Sequence, residues 1–361
     1  MYLFFELATL MSVPMVLHDR TPEALGAAKK YLFYSVGGAF LGLCAIFFLA
    51  HFCDAAEFRA GGALDPAVVA KYAPQLRIFV FLGLVGFGAK AGMYPLHGWL
   101  PTAHPVAPAP ASAVLSGIIA KAGVLAILRT LYYTVGADFL RGTWVQYTLL
   151  GLALLTVFMG SMMAYRETVL KKRLAYSSVS QIAYVLTGLF LLTPQGVTGG
   201  LLHVVFHAVI KICLFLCAGS FIVVANKRNV EELTGMGKAM PFTLGAFTLA
   251  SLALVGIPPL SGFVSKWYLA AGALDSSLPV YSWLVPLILL VSALLTAAYL
   301  FPITISGFFP KRGTPLPERN KEGGLQMLLP IACLAVLSLV LGLCSGGLVR
   351  ALSVIAEGLC G

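Results

Sequence analysis

Long apolar stretches recur along the whole chain, separated by short polar or basic connections: residues 2–17, 31–52, 76–100, 109–135, 144–164, 174–192, 196–225, 240–273, 280–308 and 325–344. A run of about 20 apolar residues, rising about 1.5 Å per residue as a helix, matches the hydrocarbon thickness of a bilayer. The pattern predicts ten membrane helices and an all-α polytopic membrane protein. Two of the stretches carry internal prolines, Pro95 in 76–100 and Pro258–Pro259 in 240–273. Proline removes a backbone donor and clashes with the preceding turn, so both helices are expected to be interrupted. Residues 53–75 read as the one sizeable outer loop.

Composition agrees with this pattern. Of 361 residues, 59% are hydrophobic and 11% charged, where soluble domains carry about 25% charged residues. The net charge of +10 does not mark a nucleic-acid binder, because the basic residues sit in short clusters between apolar runs. Connections after odd-numbered helices hold Arg20, Lys29, Lys30, Arg166, Lys171, Lys172, Arg173, Lys227, Arg228, Lys238, Lys311, Arg312, Arg319 and Lys321. Those after even-numbered helices hold only Arg59, Lys71, Arg77 and Arg141. The positive-inside rule places the first set in the cytoplasm and both termini outside, in the cell inner membrane.

Seven scattered cysteines (Cys44, Cys53, Cys213, Cys217, Cys333, Cys344, Cys360) read as small buried apolar residues rather than a metal or disulfide framework. The opening MYLFFELATLMSVPMVL lacks the basic region and cleavage site of a signal peptide. As a span it is short, and Glu6 lies about 16 Å from its inner end, near mid-bilayer. The outer end of this helix, and further helices before it, are expected to be missing.

With the loop charges set aside, the ionisable groups left in the membrane are Glu6, Lys90, Lys121, His203, His207, Lys211 and Lys266; Arg129 lies near enough to a helix end to snorkel. Such groups are costly in hydrocarbon and mark functional sites by default. Glu6 is the only acid, so Glu6–Lys90 is the natural couple, either a static lock between helices or a pair that opens and passes a proton. His203, His207 and Lys211 recur every four residues and line one helix face. Without further ligands nearby they suit a hydrated relay better than a metal. His97 and His104 flank Pro95 and Pro101, where broken backbone must face protein or water. Lys266 follows the double proline and lines a cavity or lies near either membrane face. Ser177, Ser178, Ser180, Gln181 and Tyr184 read as interhelical hydrogen-bonding residues. No phosphate-cradling loop, iron–sulfur ligand set or activated nucleophile is present, and no cofactor is expected.

KAGMYPLHGWLPTAHPVAPAPASAVLSGIIAKAG (Lys90 to Gly123) resembles the signature of antiporter-like, proton-conducting membrane subunits. These occur in respiratory complex I, multisubunit cation/proton antiporters, membrane-bound hydrogenases and formate hydrogenlyases. FFELATLMS (Phe4 to Ser12), LAYSSVSQIAYVLTG (Leu174 to Gly188), HVVFHAVIKICLFLCAG (His203 to Gly219) and GIPPLSGFVSKW (Gly256 to Trp267) resemble further blocks in the same order. The resemblance implies two inverted five-helix repeats with discontinuous helices. The first (1–135) is N-terminally incomplete, the second covers 144–308, and a cytoplasmic loop and last membrane helix fill 309–361. It also implies that Glu6 pairs with Lys90, that Lys121 relays protons toward the centre, and that His203, His207 and Lys211 form the central relay.

Such subunits place a lysine or glutamate in the second repeat's broken helix as the exit group. The expected counterpart is Trp283 to Ser306, broken at Pro286 or Pro302, whose one ionisable group is Tyr299; Lys266 is the alternative. The function expected is a proton-translocating subunit of a complex I-like, hydrogenase-type or cation/proton antiporter complex, a component of a proton-pumping oxidoreductase with no redox centre in this chain. Expected partners are the lipid bilayer, other membrane subunits including antiporter-like ones, and a companion chain supplying the missing helices; no nucleic acid. The alternative is a stand-alone secondary cation or solute transporter.

Overall fold

The computed structural model describes residues 1–52, 58–311 and 322–360. Short turns aside, the chain forms α1 (Tyr2–Val16), α2 (Pro22–Ala50), α3 (Pro66–Ala91), α4 (Leu100–Val106), α5 (Ala109–Val135), α6 (Trp144–Arg166), α7 (Leu170–Phe190), α8 (Pro194–Ala225), α9 (Pro241–Val255), α10 (Ser261–Leu274), α11 (Tyr281–Phe308), α12 (Leu325–Leu343) and α13 (Gly346–Cys360). Among the described residues, seven helices are long and apolar enough to cross a bilayer, and α1 and α9 are shorter apolar helices. A single isolated bridge, Val169–Asn229, is the only β pairing among them. This is a multi-pass, all-helical membrane architecture.

Three helices start by one device. Thr21, Asp65 and Thr193 accept from the backbone N–H groups of Ala24, Ala67 and Gly196 (3.1, 2.8 and 3.2 Å), each followed by a proline in the first turn. These caps start α2 and α3 well before their apolar stretches. Residues 66–75, expected in an outer loop, are therefore helical, with a kink at Tyr72.

Two helices are interrupted. α3 ends at Gly92 (φ 83°) and the chain turns through Met93–Trp99 before α4; α9 ends at Gly256 (φ 91°) and turns through Pro258 and Pro259 before α10. The left-handed glycine closes each helix at a conformation other residues resist. α11, expected to break at Pro286 or Pro302, runs through both. Beside Pro302, Arg173 Nη1 donates to the Tyr299 carbonyl at 2.8 Å, so an exposed backbone acceptor finds a partner without unwinding the helix.

Buried apolar residues form two large clusters and a small one. Phe87, Leu149 and Leu186 belong to the first; Phe206, Phe247 and Ile331 to the second; Tyr31 and Trp99 to the third. α7 contributes to all three through Ile182, Leu174 and Val179, and every residue of it except Lys172 and Tyr176 is buried.

The loops meet as the charge pattern requires. At the basic rim, Leu170 and Val230 bond to the backbone of Arg228 and Thr168, and the N–H groups of Asn229 and Arg228 donate to Glu232 (2.9 and 2.8 Å), holding that carboxyl below the usual carboxylate range. At the opposite rim, Arg59 and Ala63 bond to Tyr133 and Thr134, and Arg141 donates to the Leu192 carbonyl. α13 was not anticipated, because fifteen residues carrying Arg350 and Glu357 are too short and polar to span. Its first turns pack on the second cluster and its last on the first, where Arg141 donates to the Cys360 carbonyl. The cysteines are not uniformly buried: Cys213, Cys217 and Cys360 are, whereas Cys44, Cys333 and Cys344 face outward; Cys53, Arg312, Arg319 and Lys321 lie outside the described residues. A thiol on a lipid-facing helix surface meets the same apolar surroundings as a core thiol, so apolarity does not distinguish them.

Close helix approach depends on small residues. A Cβ at Gly123 of α5 would stand 2.7 Å from the Ala91 nitrogen and the Phe87 oxygen of α3, whereas one at Gly37 would meet nothing within 4 Å. Gly123→Ala should therefore lower stability by about 1–3 kcal/mol through overpacking, read as a fall in thermal midpoint in detergent. Gly37→Ala should leave that midpoint unchanged or slightly higher.

Candidate functional site

A lysine in a dry interior needs something to replace its water shell. Four lysines meet this need with backbone carbonyls and hydroxyls. Lys90, in the last turn of α3, is completely buried; it donates to the Phe5 carbonyl at 2.5 Å and the Thr9 hydroxyl at 2.6 Å, with the Phe5 ring centre 4.1 Å from its ammonium. Lys121 of α5 donates to the Ser116 carbonyl at 2.7 Å. Ser116 lies in a π-helical turn, Leu115–Ile119, whose wider rings disturb the regular pairing of carbonyls. Lys211 of α8 donates to the Leu174 carbonyl at 2.9 Å and to the Ser177 hydroxyl. Lys266 of α10 folds back on the last carbonyls of α9, Leu254 and Val255, both at 2.7 Å, with its ammonium 5.2 Å from the Tyr184 ring centre. Those two carbonyls are left over because the helix stops there.

The histidines complete the line. His203 and His207 stack one turn apart, ring centres 5.9 Å and planes 12° apart, and Tyr184 stacks on His203 at 5.4 Å. His203 Nδ1 is 2.9 Å from Ser265 Oγ and Nε2 is 3.1 Å from Gln181 Oε1. Both ring nitrogens of His207 are buried without a protein partner among the described residues.

Neighbouring steps are joined by close packing. α3 and α5 meet at Gly123 between Lys90 and Lys121; the π-turn meets α8 where Gly117 faces Ile212, beside Lys211; and the Ser116 and Ser178 hydroxyls bridge α5 and α7 at 2.7 Å.

Three expectations change. Lys90 and Glu6 are not paired: among the described residues the ion pairs are Arg141–Asp138 and Lys172–Glu167, both at the rims, and Glu6 Oε1 is buried without a partner. The Phe5 carbonyl and Thr9 hydroxyl solvate the ammonium without the cost of desolvating a carboxylate as well. The second broken helix is α9–α10 rather than α11, so the lysine beside the second break is Lys266. Finally, α7 does more than hold helices together. Ser177 bonds Lys211, Ser178 bonds the residue that binds Lys121, Gln181 bonds His203, and Tyr184 lies under Lys266. The spacing of 177/178, 181 and 184 is a single helical stripe, and that was the sequence signal.

The remaining candidates lie at the edges of this line. His104 of α4 is completely buried against Phe215 of α8, ring centres 4.7 Å apart, with neither ring nitrogen bonded to protein. His97 sits in the turn after α3, stacked on Tyr94. The Tyr299 hydroxyl donates to Thr296 at 3.3 Å.

The family described as "NADH:quinone oxidoreductase/Mrp antiporter, TM" matches residues 1–296. The chain is 34% identical to NADH-quinone oxidoreductase subunit N of Desulforudis audaxviator, over 95% of this chain and 69% of that protein. It is 35% identical to Hydrogenase-4 component B of Escherichia coli, over 73% of this chain and 40% of that protein. In fold it is similar to a chain in the structure of the Mrp complex from Dietzia, with a TM-score of 0.84 and 23% identity over 99% of this chain and 73% of that one.

Because Thr9 supplies one of the polar contacts of the Lys90 ammonium, Thr9→Val should destabilise the protein by about 1–3 kcal/mol, the cost of a buried charged donor losing its acceptor. Thermal unfolding in detergent checks this.

Proposed function

The chain belongs to the NADH:quinone oxidoreductase/Mrp antiporter transmembrane family, and we propose that it carries protons across the membrane as one subunit of a larger complex. The carrying observation is the line of buried bases from Lys90 through Lys121, Lys211, His207 and His203 to Lys266, solvated by carbonyls, hydroxyls and an amide instead of carboxylates. Dipoles hold an ammonium in place without fixing it as an ion pair would, so each base can give up a proton and take one back. Similar proteins are named as a subunit or component of oxidoreductase and hydrogenase systems. The redox chemistry or opposing ion gradient that drives transfer is accordingly assigned to partner subunits, among them other antiporter-like ones.

The two breaks support a reading as two related halves, 1–135 and 144–308, with 309–361 closing the second. In each half a lysine near a left-handed glycine turn leans on exposed backbone carbonyls, Lys90 on Phe5 and Lys266 on Leu254 and Val255. Lys90 starts the path and Lys266 ends it, with His97, His104 and Tyr299 beside it. Glu6, one residue from the carbonyl that holds Lys90, acts as a gate. In the arrangement seen Lys90 is free of it, and a swing of the ammonium onto Glu6 would withdraw Lys90 from the path. The basic rim faces the cytoplasm and both ends of the chain face outward, by the excess of Lys and Arg on one set of loops.

In inverted vesicles holding the assembled complex, Lys121→Ala should cut driven proton transfer by about tenfold or more, the scale of a lost acid–base group. Assembly should be unaffected. Transfer at the wild-type rate would remove the proposal.

A further inference from the structure

The hydrogen bonds around Gln181 do not close in a single state. Its side-chain oxygen stands 3.1 Å from His203 Nε2, while its amide nitrogen is buried without an acceptor among the described residues. On the other edge of the ring, Nδ1 is 2.9 Å from Ser265 Oγ, and that hydroxyl donates to the Gly262 carbonyl at 3.2 Å. With its proton committed to Gly262, the Ser265 oxygen can only accept from the ring, so Nδ1 carries a proton. The Gln181 oxygen can only accept as well, so Nε2 also carries one. The arrangement fits a doubly protonated His203.

Half a turn of the Gln181 amide would present its NH₂ group to Nε2 instead. That group only donates and therefore needs a bare ring nitrogen, which is the neutral ring. Because the nitrogen has no bond to give up, the turn sacrifices only the bond to His203 itself.

We propose that Gln181 is a positioning residue whose amide turns over as His203 gains and loses a proton, holding the charged ring in one orientation and the neutral ring in the other. When the amide oxygen turns away, the proton on Nε2 leaves along the path; the electron pair it leaves behind accepts an N–H from the amide, and Nδ1 keeps its proton throughout. The groups facing this ring are His207 on its own helix, Tyr184 from α7, Lys121 from α5 and Lys266 from α10, and no carboxylate is among them. A neutral toggle therefore does what a nearby acid would otherwise do, stabilising the charged state, without holding it permanently. This inference rests on the proton-transfer reading above.

The test uses the assembled complex in vesicles, with proton transfer measured across a pH series for three variants. Gln181→Met keeps the length and loses the amide; transfer should fall about tenfold or more with assembly and thermal midpoint retained. Gln181→Glu keeps an acceptor but, as a carboxylate, cannot donate. It should transfer poorly at neutral pH and recover as the pH falls and the carboxyl gains a proton to donate. A packing role alone predicts no such recovery. Transfer by Gln181→Met at the wild-type rate, or a flat pH profile for Gln181→Glu, overturns the toggle. Lys121→Ala separates the two readings: if it is inactive while Gln181→Met is normal, the toggle alone fails; if it too is normal, the proton path fails with it.

Discussion

The solvation of four buried ammonium groups by backbone carbonyls and hydroxyls is the constraint around which the rest of this fold is arranged. A regular helix has few carbonyls to offer a side chain, because its own N–H groups use them. Lys121 and Lys266 obtain theirs where helix geometry is broken, in the π-turn at Leu115–Ile119 and at the end of α9. Lys90 and Lys211 draw on carbonyls beside Thr9 and Ser177, so each adds a hydroxyl to a carbonyl that one helix can share. The helix irregularities and the buried charges are two sides of one arrangement.

α7 is the spine that makes this possible. Its apolar residues join all three buried clusters, and its polar stripe faces the bases on α5, α8 and α10. At the level of Lys121 and Lys211 it touches both putative entry and centre of the path through Ser178 and Ser177. Movement of α7 would alter several of these contacts together, whereas movement of α11 would leave most of them in place. Arg173, at the start of α7, ties the spine to α11 through the Tyr299 carbonyl.

Much of this was legible in the sequence. Apolar stretches mark the membrane helices because burial in lipid leaves few alternatives, and lysines and histidines stand out against them. The Thr21–Pro22 and Asp65–Pro66 starts were also written in the sequence, but apolarity marks the membrane, not the end of a helix, and so α2 and α3 begin earlier than their apolar runs. The partners of the lysines were not legible, because a backbone carbonyl has no letter of its own. Charge alone pointed Lys90 to Glu6, while the structure gives it to Phe5 and Thr9. LSGII carries no mark of a π-turn. GIPPLSG did carry the mark of the second break, yet the family pattern directed attention to Pro286 and Pro302, where Arg173 helps α11 continue.

His207 offers the most direct measurement, because it forms no protein hydrogen bond among the described residues and stands between Lys211 and His203. Replacing it with phenylalanine removes a titratable ring while keeping an aromatic one, and leaves no protein hydrogen bond broken. The measurement is driven proton transfer by the assembled complex carrying His207→Phe, alongside its thermal midpoint. The account predicts transfer reduced by about tenfold or more with the midpoint unchanged. Transfer at the wild-type rate would show that protons do not pass along this line.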